Sequence, residues 1–170
     1  PSPGQPHSPA KTCAPPGSLR VELLRDVAPM LDRVGCSGAG CHGKFGGRGG
    51  QQVSLLTLAP EDDYEPLVYG TRGRRVNFVA PEQSLLLLKA TNAAPHAGGA
   101  RFATGSPPYN TILRWIRAGA PFDEKDPRLL NLTISPQKFT LAKVGPPQQR
   151  RVLAAYTAGS TSDVTSRPAL

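Results

Sequence analysis

The sequence predicts a small, loop-rich, mainly α domain that is followed by a short β extension. Apolar residues recur at helical spacing in three separate segments, and the residues after position 127 change to strand-like types with turn signals between them. Glycine and proline contribute 18 and 19 of the 170 residues, so turns must separate short elements. Hydrophobic residues make up 38% of the chain, which supports a core of modest size.

The chain divides into three predicted parts. Residues 1–17 are rich in Pro, Ser and Gly and predict a flexible arm without the apolar core of a signal peptide. Residues 18–127 predict the helical domain. Residues 128–170 predict two or three strands, too few to be stable alone, whose open edges favour a homodimer through this extension. The sequence contains no run of 18 apolar residues, so no transmembrane segment is predicted.

Three helices are predicted within the helical domain. One lies in residues 18–34 and leads into a cysteine-containing loop, and a second begins at Pro81 and runs to about Lys89. The third lies in PYNTILRWIRAGAP and ends at Gly119, because glycine readily takes the conformation that ends a helix. The acidic run Glu61 to Glu65 is interpreted as a solvated turn rather than a calcium site.

The net charge of +8 limits the choice of partner. Lys and Arg residues are spread along the whole chain, and no aromatic side chains surround the tightest basic cluster, Arg72 to Arg75. A nucleic-acid surface would combine clustered cations with aromatic platforms, so no nucleic-acid partner is predicted. The charge suits an acidic redox protein or an anionic cofactor instead.

The segment GCSGAGCHGK carries the strongest chemical signal. Cys36 and Cys41 are separated by four residues, and His42 directly follows the second cysteine. Covalent haem attachment uses two cysteines and a histidine immediately after the second, usually in the spacing C-x-x-C-H. The two additional residues can bulge outward, because Gly38 and Gly40 give the backbone freedom. A C-x4-C-H haem site is therefore one interpretation.

Two other interpretations stay open at this point. Cys36 and Cys41 could form a disulfide, although the total of three cysteines is odd. A zinc ion could instead recruit both of them with His42 and a fourth ligand, either His96 or Cys13. The zinc interpretation lacks a second pair of closely spaced cysteines.

A family resemblance favours haem. The stretch DVAPMLDRVGCSGAGCHGKFGGRGG resembles the cytochrome c-like domain of planctomycete multidomain proteins, in which a C-x4-C-H site follows a D-V-x-P-x-L helix. The similarity continues through EDDYEPLVYGTRGRRVNFVAPEQSLLLLKATNAAPHAGGARF to YNTILRWIRAGAPFD, and it covers residues 20–123. The tail, from LTISPQKFTLA to VLAAYTAGSTSDVT, resembles the first strands of a bacterial Ig-like domain.

The resemblance implies that Cys36 and Cys41 form the two thioether bonds to one haem c and that His42 is the proximal iron ligand. The sixth ligand is not the methionine of ordinary cytochromes c, because the only methionine, Met30, lies in the preceding helix and is interpreted as core. His96 lies in a P-H-x-G-G-x-R-F loop that the family shares, and it is the preferred sixth ligand. Cys13 is the alternative.

Further residues are expected to contact the haem in the same site. The guanidinium groups of Arg74 and Arg75 would pair with the haem propionates, because guanidinium and carboxylate form bidentate pairs. Phe102 and Trp115 would line the pocket wall and exclude water. His7 falls in the Pro-rich arm and receives no role.

The resemblance thus implies an electron-transfer protein and not an enzyme: a monohaem c-type cytochrome, of low potential and located in the periplasm or at the cell surface. Its expected partner is an acidic redox protein. Two alternatives belong to other classes. One is a haem sensor or a peroxidase-like enzyme with an open sixth site, and the other is an interaction module held together by zinc or a disulfide.

Overall fold

The computed structural model describes residues 20–43, 47–138 and 149–165. Within them the chain forms four α-helices and then one three-stranded sheet. The helices are α1 (Ala28–Arg33, directly preceded by a π-helical turn at Leu23–Val27), α2 (Pro60–Val68), α3 (Leu85–Ala90) and α4 (Pro107–Arg117). The strands are β1 (Leu129–Ser135), β2 (Arg151–Tyr156) and β3 (Thr161–Asp163).

The prediction of a mainly α protein is wrong. Helices account for 35% and strands for 14% of the structure, and the longest helix has 11 residues. The physical reason lies in the turn residues. The predicted helix from Pro81 to Lys89, for example, is interrupted by Ser84, whose ψ of 129° is extended. The Ser84 hydroxyl accepts a hydrogen bond from the Asn77 amide at 3.0 Å, which stabilises this break.

Helix α2 occupies the acidic segment that was predicted to be a solvated turn. Pro60 stands at its first position, and Glu61, Asp62 and Asp63 fill its first turn. Proline is tolerated there because an N–H group in the first turn has no partner within the helix, so its absence costs no hydrogen bond. Carboxylates are favoured there by the positive end of the helix dipole. The segment is therefore a helix start.

The helices enclose one hydrophobic core beneath the loops. Trp115 and Ile112 of α4 and Leu87 of α3 are fully buried. The indole Nε1 of Trp115 donates a hydrogen bond to the Pro121 carbonyl at 3.0 Å, so its polar atom is satisfied in the core. Apolar side chains from α1, from the turn before it and from α2 complete this core: Leu23, Val27, Leu31, Leu67 and Val68.

The sheet is antiparallel, in the order β1-β2-β3. All three strands lie within residues 128–170, the part of the chain in which strands were predicted. Ala154 and Tyr156 of β2 and Val164, which directly follows β3, form a second, small buried cluster. Strand β1 is exposed along its whole length and forms one edge of the sheet. The predicted homodimer depends on this edge and stays a prediction.

In the described parts of the chain, no helix has both the length and the apolar character that crossing a membrane would require.

Replacing Leu87 by alanine should destabilise the helical part, because the side chain is completely buried and the substitution leaves a cavity. We expect a loss of about 2–5 kcal/mol in the free energy of unfolding, measured by urea titration. Leu58→Ala is the matched control, since Leu58 is 80% exposed, and it should change the stability by less than about 0.5 kcal/mol. Equal losses for both variants would contradict the placement of the core.

Candidate cofactor site

The cysteine loop begins at the C-terminal cap of α1. Gly35 has a φ of +78°, its amide donates to the Asp32 carbonyl at 2.8 Å, and the Cys36 amide donates to the Leu31 carbonyl at 2.9 Å. This pair of bonds is a Schellman cap, which favours glycine because the residue lies in the left-handed region. The cap places Cys36 three residues after the last residue of the helix, half-buried against the core.

The four residues between the cysteines fold into a compact turn. The Cys41 amide donates to the Gly38 carbonyl at 2.9 Å, and the His42 amide donates back to the Cys36 carbonyl at 3.0 Å. Ser37 is fully buried, and its hydroxyl donates to Asp32 Oδ1 at 2.5 Å. The turn therefore returns the Cys41–His42 pair to the side of Cys36.

Gly43 closes this loop where no side chain fits. A Cβ at this position would lie 2.5 Å from the Ser37 carbonyl oxygen and 2.9 Å from Leu55 Cδ1. The backbone of Gly43 pairs with Val53, whose amide donates to the His42 carbonyl at 2.9 Å. His42 is thus held between two neighbouring backbone segments.

The side chains of His42 and His96 face each other across the site. Their ring centroids lie 6.1 Å apart, and their planes differ by only 9°. Two imidazoles that bind one metal ion from opposite sides, each at about 2 Å, have ring centroids roughly 6 Å apart. The centroid separation and the near-parallel planes therefore match those of two imidazoles that share one metal ion.

Both rings are oriented in the same way by backbone carbonyls. His42 Nδ1 lies 3.1 Å from the Arg48 carbonyl oxygen, and His96 Nδ1 lies 2.8 Å from the Gly99 carbonyl oxygen. Such a bond keeps the proton on Nδ1 and leaves Nε2 for a metal, as is usual for metal-binding histidines. Burial lowers the pKa of His42, which favours the neutral, ligand-competent ring.

A cavity of about 700 Å³ joins these groups. It lies within the range of about 300–1,000 Å³ that is typical of cofactor and ligand sites. Cys36, Cys41, His42 and His96 all line it. The structure thus brings together the two predicted attachment cysteines, the predicted proximal ligand and the preferred sixth ligand. Two thiols, two paired imidazoles and this volume fit a haem that is attached through both cysteines.

The cavity is strongly electropositive. Five cationic side chains line it: Arg48, Arg74, Arg75, Lys89 and Arg101. Among the described lining residues the only carboxylate is Asp63, and it already accepts bonds from the Ser54 amide and hydroxyl at 2.5 and 2.6 Å. An occupant with negative groups would therefore be favoured.

The predicted propionate partners differ from each other in their surroundings. Arg75 is buried, and its guanidinium donates to the Pro66 and Gly50 carbonyls at 3.0 and 2.6 Å, so its donors already serve the fold. Arg74 is exposed at the cavity, as is Arg48. Neither of these two side chains bonds to another residue in the described part of the chain. Arg48 is a binding candidate that the sequence reasoning missed.

Phe102 and Trp115 are not among the residues that line the cavity, which corrects the expectation that they form its wall. Both pack in the hydrophobic core beneath it. Helical spacing gives Trp115 an inward orientation but cannot distinguish a core position from a pocket wall. The cavity wall is formed by aliphatic side chains instead, including Leu23, Leu31 and Leu86. Met30 packs against the core, as its interpretation requires.

The alternatives to haem receive limited support from the geometry. Cys36 and Cys41 are both free thiols, so the disulfide is not formed. Within residues 20–43, 47–138 and 149–165, no three His, Cys, Asp or Glu side chains are grouped so that they could hold a metal ion, as a closed zinc site would need. Cys13 and His7 lie outside the described residues.

Comparisons with family models, with curated proteins and with solved structures found no match for this chain.

The Cys36 thiol should react slowly in the folded protein without cofactor. Burial raises its pKa to about 11, so the reactive thiolate is scarce near neutral pH. We expect alkylation of Cys36 by iodoacetamide at about pH 8 to be at least tenfold slower in the folded than in the urea-unfolded protein, since one pKa unit corresponds to tenfold in thiolate. Peptide mass spectrometry after timed quenching measures this rate. Equal rates in both states would show that Cys36 is not buried.

Proposed function

We propose that the protein is a monohaem c-type cytochrome that transfers single electrons. Haem c is attached through Cys36 and Cys41, with His42 as the proximal ligand and His96 as the sixth ligand. The observation that carries this proposal is the parallel pair of imidazoles, 6.1 Å apart, in a cavity that both cysteines also line. The C-x4-C-H resemblance supports it independently.

The residues of the chain hold and orient the group. When bound, haem iron supplies a ferric–ferrous couple that takes up and releases one electron. The Arg48 and Gly99 carbonyls fix the two imidazole rings, and the aliphatic wall keeps water from one side of the cavity. Arg48 and Arg74 are free to pair with carboxylate groups of the bound cofactor.

A low reduction potential belongs to this proposal. Methionine as the second axial ligand raises the potential of a haem. In this protein the His96 imidazole would bind the iron in place of methionine, since Met30 packs in the core. A periplasmic or cell-surface location belongs to the proposal as well, because haem c is attached outside the cytoplasm.

The first test is the visible spectrum of protein that has been matured in a host with the haem c apparatus. We expect a Soret band and, after dithionite, sharp α and β bands of low-spin haem, all resistant to acid–acetone extraction. The Cys36→Ala/Cys41→Ala double variant should lose the pigment on extraction. A colourless wild-type protein would overturn the proposal, and a high-spin spectrum would favour the open-site sensor or enzyme.

The same material identifies the sixth ligand. His96→Ala should convert the spectrum to high spin and permit carbon monoxide binding, whereas the control variants His7→Ala and Cys13→Ser should stay low spin. His96→Met should keep a sixth ligand and raise the midpoint potential in a potentiometric titration. A low-spin His96→Ala protein would exclude His96, and loss of low spin in Cys13→Ser would assign Cys13.

Five cationic side chains line the cavity, so a net positive charge would remain there after two of them pair with the carboxylate groups of the cofactor, and an acidic partner is proposed for this charge. Ferricyanide and hexaammineruthenium serve as anionic and cationic probes of the same haem. Arg48→Glu and Arg74→Glu should slow oxidation by ferricyanide severalfold and speed reaction with the ruthenium cation, and raised salt should weaken both effects. Arg114→Glu, on the exposed side of α4 and away from the cavity, is the control. An equal effect of Arg114→Glu would show that the rates depend only on the net charge of the protein and not on charge at the cavity.

A further inference from the structure

Arg101 joins the two loops that carry the histidines. Its Nη2 donates to Cys41 Sγ at 3.3 Å, across sixty positions of the chain. The same guanidinium lies beside both loops, because a Cβ at Gly35 would be 3.4 Å from Nη1 and a Cβ at Gly98 would be 3.1 Å from Nη2. One side chain therefore touches the cap of α1, the attachment cysteine and the turn that holds His96.

The base of Arg101 is fixed on α3. Its amide donates to the Ala90 carbonyl at 2.7 Å, at the last residue of that helix. The other end of the loop is bound to the same helix, since Lys89 Nζ donates to the Pro95 carbonyl at 2.6 Å and the Ala94 amide donates to the Leu88 carbonyl at 3.0 Å. Arg101 thus extends from a rigid support across the gap between the loops.

The His96 ring has little room to move, because it packs closely on its own turn. A Cβ at Gly98 would lie 2.9 Å from His96 Cε1, so the ring lies close against the backbone of its own turn. The Gly99 amide donates to the His96 carbonyl at 2.9 Å, while the Gly99 carbonyl binds the ring. The ring is therefore bound to its own turn, and the Arg101 guanidinium lies beside that turn at Gly98.

We propose that Arg101 is a positioning residue that presets the gap between His42 and His96 before the cofactor binds. It does so by fastening the His96 turn to Cys41, the immediate neighbour of His42. This inference rests on the proposed function, because the gap matters only if both imidazoles bind one metal ion.

The chemistry of the side chain fits this role. Arginine presents its N–H donors in a rigid plane, and here Nη2 donates to Cys41 while it also lies beside the turn at Gly98. No carboxylate within the described parts of the chain forms an ion pair with Arg101. Its only side-chain hydrogen bond there goes to the sulfur of Cys41.

The first experiment uses the cofactor-free protein and amide hydrogen exchange. In Arg101→Gln, the Gly99 amide should exchange at least tenfold faster than in wild type, because its turn is released from the cysteine loop. Arg101→Lys should give a smaller increase, and Arg114→Ala none. Cys41→Ala, which removes the acceptor, should also accelerate exchange, and the Arg101→Gln/Cys41→Ala double variant should add little beyond either single variant.

The second experiment uses iron mesoporphyrin, which lacks vinyl groups and cannot form thioethers. Titrated into the cofactor-free wild type under reducing conditions, it should give a low-spin spectrum. Arg101→Gln should bind it roughly tenfold more weakly, the order of loss seen when a residue that orients metal ligands is removed, and with more high-spin iron. Arg101→Lys, which keeps the charge, covers the case in which Arg101→Gln does not fold.

The outcomes separate the two proposals. Unchanged Gly99 exchange in Arg101→Gln and Arg101→Lys would overturn the role of Arg101, whatever the spectra show. Fully additive effects in the double variant would overturn it too, because the two side chains would then act separately. A wild-type protein that forms no haem c would instead overturn the proposed function, and the exchange result would still decide whether Arg101 fastens the two loops.

Discussion

The geometry of the site depends first on the cap that ends α1. Two backbone bonds and the left-handed Gly35 turn the chain sharply, so that Cys36 leaves the helix half-buried against the core. The position of Cys36 fixes the rest of the cysteine loop, because the His42 amide donates a hydrogen bond to the Cys36 carbonyl. The helix before the cap is short, and its apolar side chains in the common core keep it in place.

The most local features of the site were readable from the sequence. The adjacency of Cys41 and His42 is a covalent fact. The residues between the cysteines do form a turn, although Gly38 and Gly40 are not among the glycines with positive φ. His96 could be proposed because a histidine beside glycines can approach a flat group closely. Its distance from His42 could not be predicted, since it is set by contacts between loops that are far apart in sequence.

The failures have identifiable physical causes. Helix α2 was missed although Pro60 and three acidic residues carry the signature of a helix start, because the acidic run was weighed only as a ligand set or a turn. Arg101 belongs to a motif that was recognised, yet its role depends on a contact with Cys41 that no local pattern encodes. The mainly α fold class failed because breaks such as Ser84 shorten the helices.

The two imidazole rings belong to loops that are far apart in sequence and that a hydrogen bond from Arg101 to Cys41 joins. A ligand that bound both rings would act as a cross-link between distant parts of the chain, and its binding free energy would add to the stability of the native state. Once the ligand is also bonded to Cys36 and Cys41, unfolding cannot release it into solution. During refolding the two imidazoles then rebind a ligand that is still attached to the same chain, at a high effective concentration. Covalent attachment of the ligand would thus replace a reversible binding equilibrium by a permanent link that is still present when the chain refolds.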